Sequence, residues 1–403
     1  MDAVLSLLGT LFPPALQDRV FLVGGSVRDL LSGRVSQDLD LVAAVPPEEL
    51  ERLGFRFVAA KSAAPIYFRF ITGVGKVEAT LLDDVSLLTA DLHRRDFTVN
   101  AMALSLGGEL LDPLGGRDDL AARSLRACSD SSFIDDPLRC FRAFRFEAEG
   151  WRLTDESAEL LRAGSRSLGL EAVPVERFSA EMLKALAKQE PVRFFQRMLE
   201  FGIGAEFLPE LFRMGEVPAG PLEYHPEGDL CTHSLEVLER LAQQSDDPLA
   251  RFCGLFHDLG KLATAPPLYP RHHGHEESGS MMAEDFCDRL RLPALYRRAL
   301  AATCRLHGSA RRWPELRDST RVRMAEQAIQ AGIVEILPLV AAADKASGQV
   351  MPGWTEAVQV TAMSSAELGV DRLVLEEMAP EHRGTLLLQR RVERLRRMRD
   401  GSA

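Results

Sequence analysis

Residues 21–42 read FLVGGSVRDLLSGRVSQDLDLV. An apolar strand runs into two glycines, a short helical segment follows, and two aspartates then stand one residue apart. Strand residues i and i+2 project to one face, so Asp38 and Asp40 point together. Like charges that close do not both ionise cheaply without a cation. Oxygen donors at this spacing suit Mg²⁺, which is commonly held by one or two carboxylates and substrate phosphates. Gly24 and Gly25 let the backbone approach a ligand closely, and the helix starting near Ser26 offers N–H groups to a phosphate. A solvent-facing edge strand with two acids would give the same DLD pattern, but the GGSVRD turn just upstream favours a site.

The chain has 403 residues, 46% hydrophobic and 27% charged, which predicts a globular protein of two or more domains. No run of about 18 apolar residues marks a membrane span. The opening MDAVLSLLGTLFPPALQDR lacks a basic segment before its apolar part and reads as a short leading helix, not a signal peptide. Six scattered cysteines without a CxxC pair fit reduced, buried thiols in a cytoplasmic protein. The net charge of −11 argues against a general nucleic-acid coat but leaves room for a local basic groove.

Short strands and helices alternate from residue 20 to about 112: RVFLVGG, QDLDLVAAV, FRFVAA, IYFRFITG, GKVEATLL and GELLDPLGG read as strands or strand–turn units. SVRDLLSG and PPEELERLG read as helices, each closed by a glycine. From about residue 126 the apolar period becomes 3.6 and stays there. Seven of the nine histidines fall between His225 and His307, and the chain ends in the basic helix QRRVERLRRMRD. The expected fold class is α+β: a head at 1–125 with a mixed sheet and helices, then an all-helical neck (126–215), a His-rich domain (216–350) and a helical tail (351–403).

Two further motifs follow the aspartates. In HRRDFTVNAMAL, Arg94, Arg95 and Asp96 lead into a helical segment; a charged helix start with Asp96 capping is the plain alternative. In DDPLRCFRAFRF, Asp136 reads as a helix cap with proline next. Arg139, Arg142 and Arg145 then recur every three residues beside an apolar face, as a solvated stripe or one that lines a cleft.

GGSVRDLLSG with DLD, RRDFTVNA, DPLGGRDDL and DDPLRCFRAFRF together resemble, in order, the class II tRNA nucleotidyltransferases and bacterial poly(A) polymerases, over residues 21 to about 200. The resemblance implies a polymerase-beta-like nucleotidyltransferase head. Asp38 and Asp40 would hold two Mg²⁺ ions that activate the RNA 3′-hydroxyl and bridge the triphosphate, with Glu78 as a third carboxylate. Gly25, Ser26 and Arg28 would hold the triphosphate, and Arg95, Asp96 and Asn100 would line its sugar and phosphate side. Asp136 and Arg139 would act as an amino-acid template. A carboxylate accepts from an exocyclic amino group and a guanidinium donates to ring nitrogen or carbonyl acceptors, so one pair admits C and A and refuses U and G. Arg142 and Arg145 would complete the nucleotide site. Family members often carry Glu-Asp where this chain has Asp135-Asp136.

Only fifteen residues, ATLLDDVSLLTADLH at 79–93, separate Glu78 from Arg94, with no Arg, Lys, Gly or Tyr. CCA-adding members have a longer flexible stretch here that helps switch the pocket from CTP to ATP, and members without it stop after two cytidines. The expectation is therefore CC addition from CTP to the tRNA 3′ end. Complete CCA addition with CTP and ATP is the alternative, and poly(A) polymerase a more distant one.

HDLGK (His257–Lys261), preceded by His233 and followed by Asp344, resembles the H…HD…D order of HD-domain phosphohydrolases. That resemblance implies a metal site of His233, His257, Asp258 and Asp344. Imidazole with carboxylate suits Ni²⁺, Mn²⁺ or Co²⁺ as well as Mg²⁺. His275 and His307 are candidates for phosphate or a second metal, whereas His272 and His273 read as loop residues. Neck arginines and the basic tail are candidates to track the acceptor and T arms of tRNA; a solvated helix is the alternative for the tail. No membrane partner is expected, and the oligomeric state is open.

Overall fold

The apolar run before Gly24 forms β1 (Val20–Val23), the second-innermost strand of a seven-stranded sheet. The computed structural model describes residues 2–34, 38–58, 65–164, 169–345, 348 and 351–399. The chain divides into two compact units, Met1–Gly169 and Leu170–Ala403.

In the first unit the strands are β1, β2 (Asp38–Ala43), β3 (Arg56–Val58), β4 (Ile66–Ile71), β5 (Gly75–Leu81), β6 (Ala103–Ser105) and β7 (Leu110–Leu111), in the spatial order β3-β4-β5-β2-β1-β6-β7. The strand expected at 55–60 is described as far as Val58, its last residues lying outside the described ones. Only β2 and β5 run parallel, with Asp38 opposite Lys76 and Asp40 opposite Glu78. Alternation in β2 sinks Leu39 and Leu41 into the core and turns Asp38 and Asp40 outward.

Helices α1 (Asp2–Leu11), α2 (Gly25–Leu31), α3 (Pro47–Arg52), α4 (Leu88–His93) and α5 (Gly116–Ala122) accompany the sheet. The main core joins Leu8 and Phe12 near the start of the chain to Leu22, Leu39, Leu41 and Val77 of the sheet. A second cluster seats Leu88 and Leu92 of α4 against Val23, Val42 and Ala103. Helices α6 (Ser132–Asp135), α7 (Leu138–Glu147) and α8 (Asp155–Gly164) complete the unit, with a short parallel pair of β8 (Ser124–Leu125) and β9 (Arg152–Leu153).

The second unit is helical. It comprises α9 (Val175–Leu186), α10 (Val192–Phe201), α11 (Pro209–Met214), α12 (Leu230–Ala242), α13 (Pro248–Phe256), α14 (His275–Arg289), α15 (Ala294–Arg311), α16 (Asp318–Ala331), α17 (Ile336–Asp344), α18 (Trp354–Ala362), α19 (Arg372–Glu377) and α20 (Pro380–Arg399). Among the described residues no single helix is long and apolar enough to cross a membrane. The expected α+β class holds: a mixed sheet with helices, followed by helices alone.

One buried cation ties this unit together. Arg251 on α13 is fully buried. Its guanidinium donates to Leu186 O and Lys188 O at 2.7 Å, where α9 ends, and to Ala242 O at 3.1 Å, where α12 ends. Its Nε donates to Ser245 O at 2.7 Å. Carbonyls at helix C-termini lack intrahelical donors and carry partial negative charge, so one guanidinium satisfies two helix ends at once. Arg251→Met should leave these carbonyls orphaned and lower stability by about 3 kcal/mol or more, read as a drop in the urea midpoint of the second unit.

Candidate functional sites: a carboxylate strand pair and a histidine centre

Gly24 makes the first site possible. Its backbone has φ +70°, and a Cβ there would lie 2.9 Å from Arg95 Nη1, so a side chain is excluded. Arg95 therefore lies across the turn, near Asp40, and pairs with Asp91 at 3.1 Å. Asp38, Asp40 and Glu78 share one face of β2 and β5, with Lys76 hydrogen-bonded to Glu78. Asp40 keeps some contact with solvent yet is closely enclosed. Desolvation, then the charges of Glu78 and Asp38, raise its carboxyl above the ordinary 3.8, against the pull of Arg95 and Lys76. Carboxylates crowded on one face, with the Asp40 pKa raised, form an oxygen donor set that fits Mg²⁺.

Ser26 lies against β2. It is buried, and its hydroxyl donates to Asp38 O at 3.1 Å while accepting from Asp40 N–H at 3.0 Å. The side chain assigned to triphosphate thus braces the backbone that carries both aspartates. Gly25 begins α2 beside it, and a Cβ there would lie 3.4 Å from Arg28 Nη2.

The remaining expected residues of the head join in a polar chain. Arg28 Nη1 donates to Asn100 Oδ1 at 2.6 Å, Asn100 Nδ2 donates to Asp96 Oδ1 at 3.0 Å, and Arg142 Nε donates to Asp96 Oδ2 at 2.7 Å. Burial alone would raise the Asp96 carboxyl, but Arg142, Asn100 and the Phe97 N–H hold it below its ordinary value. Asp136 Oδ1 accepts from Leu138 N–H at 3.2 Å, the capping bond expected from DDPL. Arg139 donates to Ser132 Oγ at 2.9 Å and to Arg94 O at 2.5 Å. Arg145 and Arg28 both lie over the ring of Phe146, at 4.4 and 5.3 Å from its centre. The head motifs thus assemble around one face of β2, β5 and α7.

The second site sits among α12, α13, α14, α15 and α17. Gly260 of HDLGK lets the turn after α13 reach α14: a Cβ there would lie 2.0 Å from His275 O. His233 Nε2 stands 3.2 Å from Asp344 Oδ1 and 3.7 Å from Asp258 Oδ2. His257 Nε2 stands 3.3 Å from Asp258 Oδ2 and 3.5 Å from Asp344 Oδ1. The Nε2 atoms of His233 and His257, Asp258 Oδ1 and both Asp344 oxygens are buried without a hydrogen-bond partner. Buried polar atoms left unpaired at one point are costly unless a cation joins them, so this donor set fits a divalent metal.

Each ring is oriented by its other nitrogen. His257 Nδ1 donates to Gly254 O at 2.7 Å, His307 Nδ1 to Cys304 O at 2.8 Å and His275 Nδ1 to His272 O at 2.7 Å. His233 Nδ1 donates to Glu227 Oε1 at 2.7 Å. Each pairing leaves Nε2 for a metal. His275 and His307 form a second group, each 3.3 Å from Asp258 Oδ1, so Asp258 belongs to both groups. Burial would lower the His257 pKa, but Asp258 and Asp344 push it up to about 10. A cavity of about 490 Å³, lined by Tyr224, His225, Arg240, Arg311 and Lys345, opens onto His233 and Asp344.

With this geometry in hand, comparison with known proteins is direct. Residues 20–74 and 75–126 match the Poly A polymerase head domain, 152–214 the probable RNA and SrmB-binding site of polymerase A, and 230–342 the HD domain. The multifunctional CCA protein of Methylococcus capsulatus is 38% identical over 334 residues, covering 77% of this chain and 76% of that protein. The chain belongs to the class II tRNA nucleotidyltransferases, the CCA-adding and bacterial poly(A) polymerase family, with a fused HD domain. The fold of this tRNA nucleotidyltransferase is shared with an apo CCA-adding enzyme (TM-score 0.67, 22% identity, 98% of this chain and 90% of that one). It is shared also with the Thermotoga maritima CCA-adding enzyme complexed with tRNA (TM-score 0.64, 21% identity, 98% and 90%).

Sequence reasoning missed three groups of this nucleotidyltransferase. Lys76 is one turn of alternation from Glu78 and was read as part of a plain strand. Glu227 lies in EYHPEGD, where no periodicity points to it, yet hydrogen bonds from His233 and His225 hold its carboxyl at about 2 although burial opposes this. His225 completes that group. In the tail, Arg396 and Arg399 pair with Asp318 at 3.0 and 3.2 Å and Arg391 with Glu326 at 3.0 Å, so three arginines of the basic helix are used within the fold.

Two predictions follow from these placements. Because the folded Asp40 pKa is raised, protons compete with Mg²⁺ at a higher pH than for an ordinary carboxylate. The Mg²⁺ concentration for half-maximal nucleotide addition should therefore rise as pH falls toward that pKa, and Glu78→Gln should move this rise to lower pH. Glu227→Gln should weaken Ni²⁺ binding about 10- to 100-fold by releasing the His233 ring, measured by competition with a chromophoric chelator, with nucleotide addition unchanged.

Proposed function

We propose that this tRNA nucleotidyltransferase adds two cytidines to the tRNA 3′ end from CTP, without a nucleic-acid template, and leaves the terminal adenosine to another enzyme. The observation that supports this reading is the segment 79–93. It finishes β5, turns through a short 3-10 segment at Val85–Leu87 into α4, and buries Leu88 and Leu92 against the sheet. It lacks the glycines, basic residues and tyrosine of a mobile switching loop. A second reading, complete CCA addition, draws support from relatives such as the multifunctional CCA protein of Methylococcus capsulatus.

In this reading Asp38, Asp40 and Glu78 would hold Mg²⁺, which would supply charge neutralisation at the triphosphate and acidify the primer 3′-hydroxyl. Arg28, Arg95 and Asn100 position the triphosphate and sugar, and Gly25 lets the backbone approach. Asp96 fixes Asn100 and Arg142 in the orientation they need. Asp136 accepts the exocyclic amino proton of cytosine, while Arg139 donates to its ring nitrogen and carbonyl. Arg142 and Arg145 supply positive charge beside them. The work is thus divided among a head at 1–125, a neck at 126–215, an HD domain at 216–350 and a tail at 351–403. Neck and tail arginines left outside the ion pairs contact the acceptor and T arms. The six thiols, all unpaired and buried, suit a cytoplasmic enzyme.

The HD centre acts as a metal-dependent phosphohydrolase that trims phosphorylated tRNA 3′ ends before addition. His233, His257, Asp258 and Asp344 hold one metal, with His275 and His307 available for a second. Ni²⁺, Mn²⁺, Co²⁺ or Mg²⁺ would supply a Lewis acid at phosphorus.

The test is extension of tRNA ending at the discriminator base with Mg²⁺, CTP and ATP, resolved to single nucleotides. Arrest after two cytidines, with no extension of tRNA ending in CC, is expected; a complete CCA end would overturn CC addition in favour of the second reading. Asp38→Ala should abolish addition while leaving tRNA affinity within about twofold, because it removes a metal ligand and not an RNA contact.

A further inference from the structure

A cavity of about 440 Å³ opens in the first unit, lined by Arg34, Arg117, Arg123, Leu31, Leu120 and Trp151 among others. We propose that this cavity is a subsite for the sugar-phosphate backbone of the RNA substrate, with Arg117 and Arg123 as its phosphate ligands. The inference rests on the reading that the enzyme extends an RNA 3′ end.

Three guanidiniums converge here in a chain whose net charge is −11. Arg34 is partly neutralised, 2.9 Å from Asp29 and 3.9 Å from Glu149. Arg117 and Arg123 form no ion pair among the described residues. Helix electrostatics do not account for them both. A cation is welcome after a helix C-terminus, where Arg34 and Arg123 stand, but Arg117 lies in the first turn of α5, where the helix dipole disfavours positive charge.

The backbone makes the stronger point. Arg123 follows the last residue of α5 with φ +52° and ψ +37°, the left-handed conformation that glycine adopts without strain at this position and that a long side chain rarely takes. An arginine kept there at a conformational cost calls for a task that glycine could not perform. Its guanidinium reaches over Gly150, where a Cβ would lie 3.3 Å from Arg123 Nη1. The floor is the largely buried Trp151, whose ring packs edge-on against Phe146 at 5.9 Å. Planar forks around an apolar floor suit phosphate oxygens flanking a sugar.

The cavity lies at the C-terminal end of α2, about 9 Å along the helix from Gly25, and Arg34 shares Asp29 with Arg28. None of Gly25, Arg28, Asp38, Asp40 or Glu78 lines it, so the substrate strand, and not the reacting nucleotide, is the fitting source. Free polyphosphate shares this chemistry, and the experiment separates the two.

Arg123→Gly is the decisive variant, because it removes the guanidinium and relieves the backbone. Its melting temperature should equal or exceed that of the unaltered enzyme. Its KM for tRNA in CTP addition should rise about five- to tenfold, and the slope of log affinity for tRNA against log salt should fall by about 1. Arg117→Gln should act alike, and the double variant should lower the slope by about 2. The KM for CTP should stay unchanged in all three. A raised KM for CTP with unaltered tRNA binding would assign the cavity to free nucleotide and overturn the RNA assignment. Unchanged tRNA affinity and salt slope in the double variant would overturn the subsite altogether. Failure of the unaltered enzyme to extend tRNA would instead overturn the reading on which the inference rests.

Discussion

Three carboxylates held on one face of two neighbouring strands are the constraint around which the first unit is arranged. The parallel register of β2 and β5 sets Asp40 directly opposite Glu78, with Asp38 two residues away. Such an arrangement repels itself, and burial together with that repulsion raises the Asp40 carboxyl. The surrounding structure consists of answers to that repulsion. Lys76 takes hold of Glu78, Arg95 lies across the Gly24 turn, and the Ser26 hydroxyl pins the backbone between the two aspartates. Beyond them, the chain from Arg28 through Asn100 and Asp96 to Arg142 fixes the cations near the acids. Asp38 and Asp40 stay exposed on that face, as a site that takes a cation with its substrate requires.

The HD centre solves the same problem by the opposite route. Its acids, Asp258 and Asp344, are buried, and each is surrounded by imidazoles instead of by other acids. Burial makes every unpaired atom costly, so the rings are locked from behind by backbone carbonyls and Glu227. Lys261, donating to Asp258 at 2.6 Å and to Ala219 O at 2.6 Å, adds a fixed positive charge to the carboxylate shared by both histidine groups. A buried, nitrogen-rich centre would hold a metal without help from substrate, whereas the exposed carboxylate face would not.

The parts legible in the sequence are those where spacing and geometry coincide. Alternation in QDLDLV is enough to set Asp38 and Asp40 on one face, because a strand has a single period, whereas Glu78 is pointed to by the family resemblance and joins that face through the register of β5. DDPL announces its own cap, and HDLGK carries both a ligand pair and the glycine that lets α13 approach α14. What stayed hidden depends on contacts between distant segments. Nothing in GGSVRD shows that the Ser26 hydroxyl braces β2. Glu227 sits in a loop without period and gains its meaning only from the His233 ring. The arginines of α20 look like an RNA track until Asp318 and Glu326 of α16 are found beneath them. Charge patterns report a basic face but not which acids will cover it.

If Asp136 and Arg139 read the base as proposed, the attachment of Arg139 to the segment 79–93 bears on selectivity. Arg139 donates to the carbonyl of Arg94, the residue that closes α4, and α4 is anchored by two leucines buried against the sheet. A pocket that adapts from cytosine to the larger adenine has to let the guanidinium move, and here its carbonyl support moves only if Leu88 and Leu92 leave the core. Exposing two buried leucines costs about 3–6 kcal/mol, which corresponds to a population of the moved state of about 1% or less. A long flexible segment would carry no such penalty, since its motion would leave the leucine anchors in place. The short, buried connection therefore favours a pocket with one shape, and one shape favours one base.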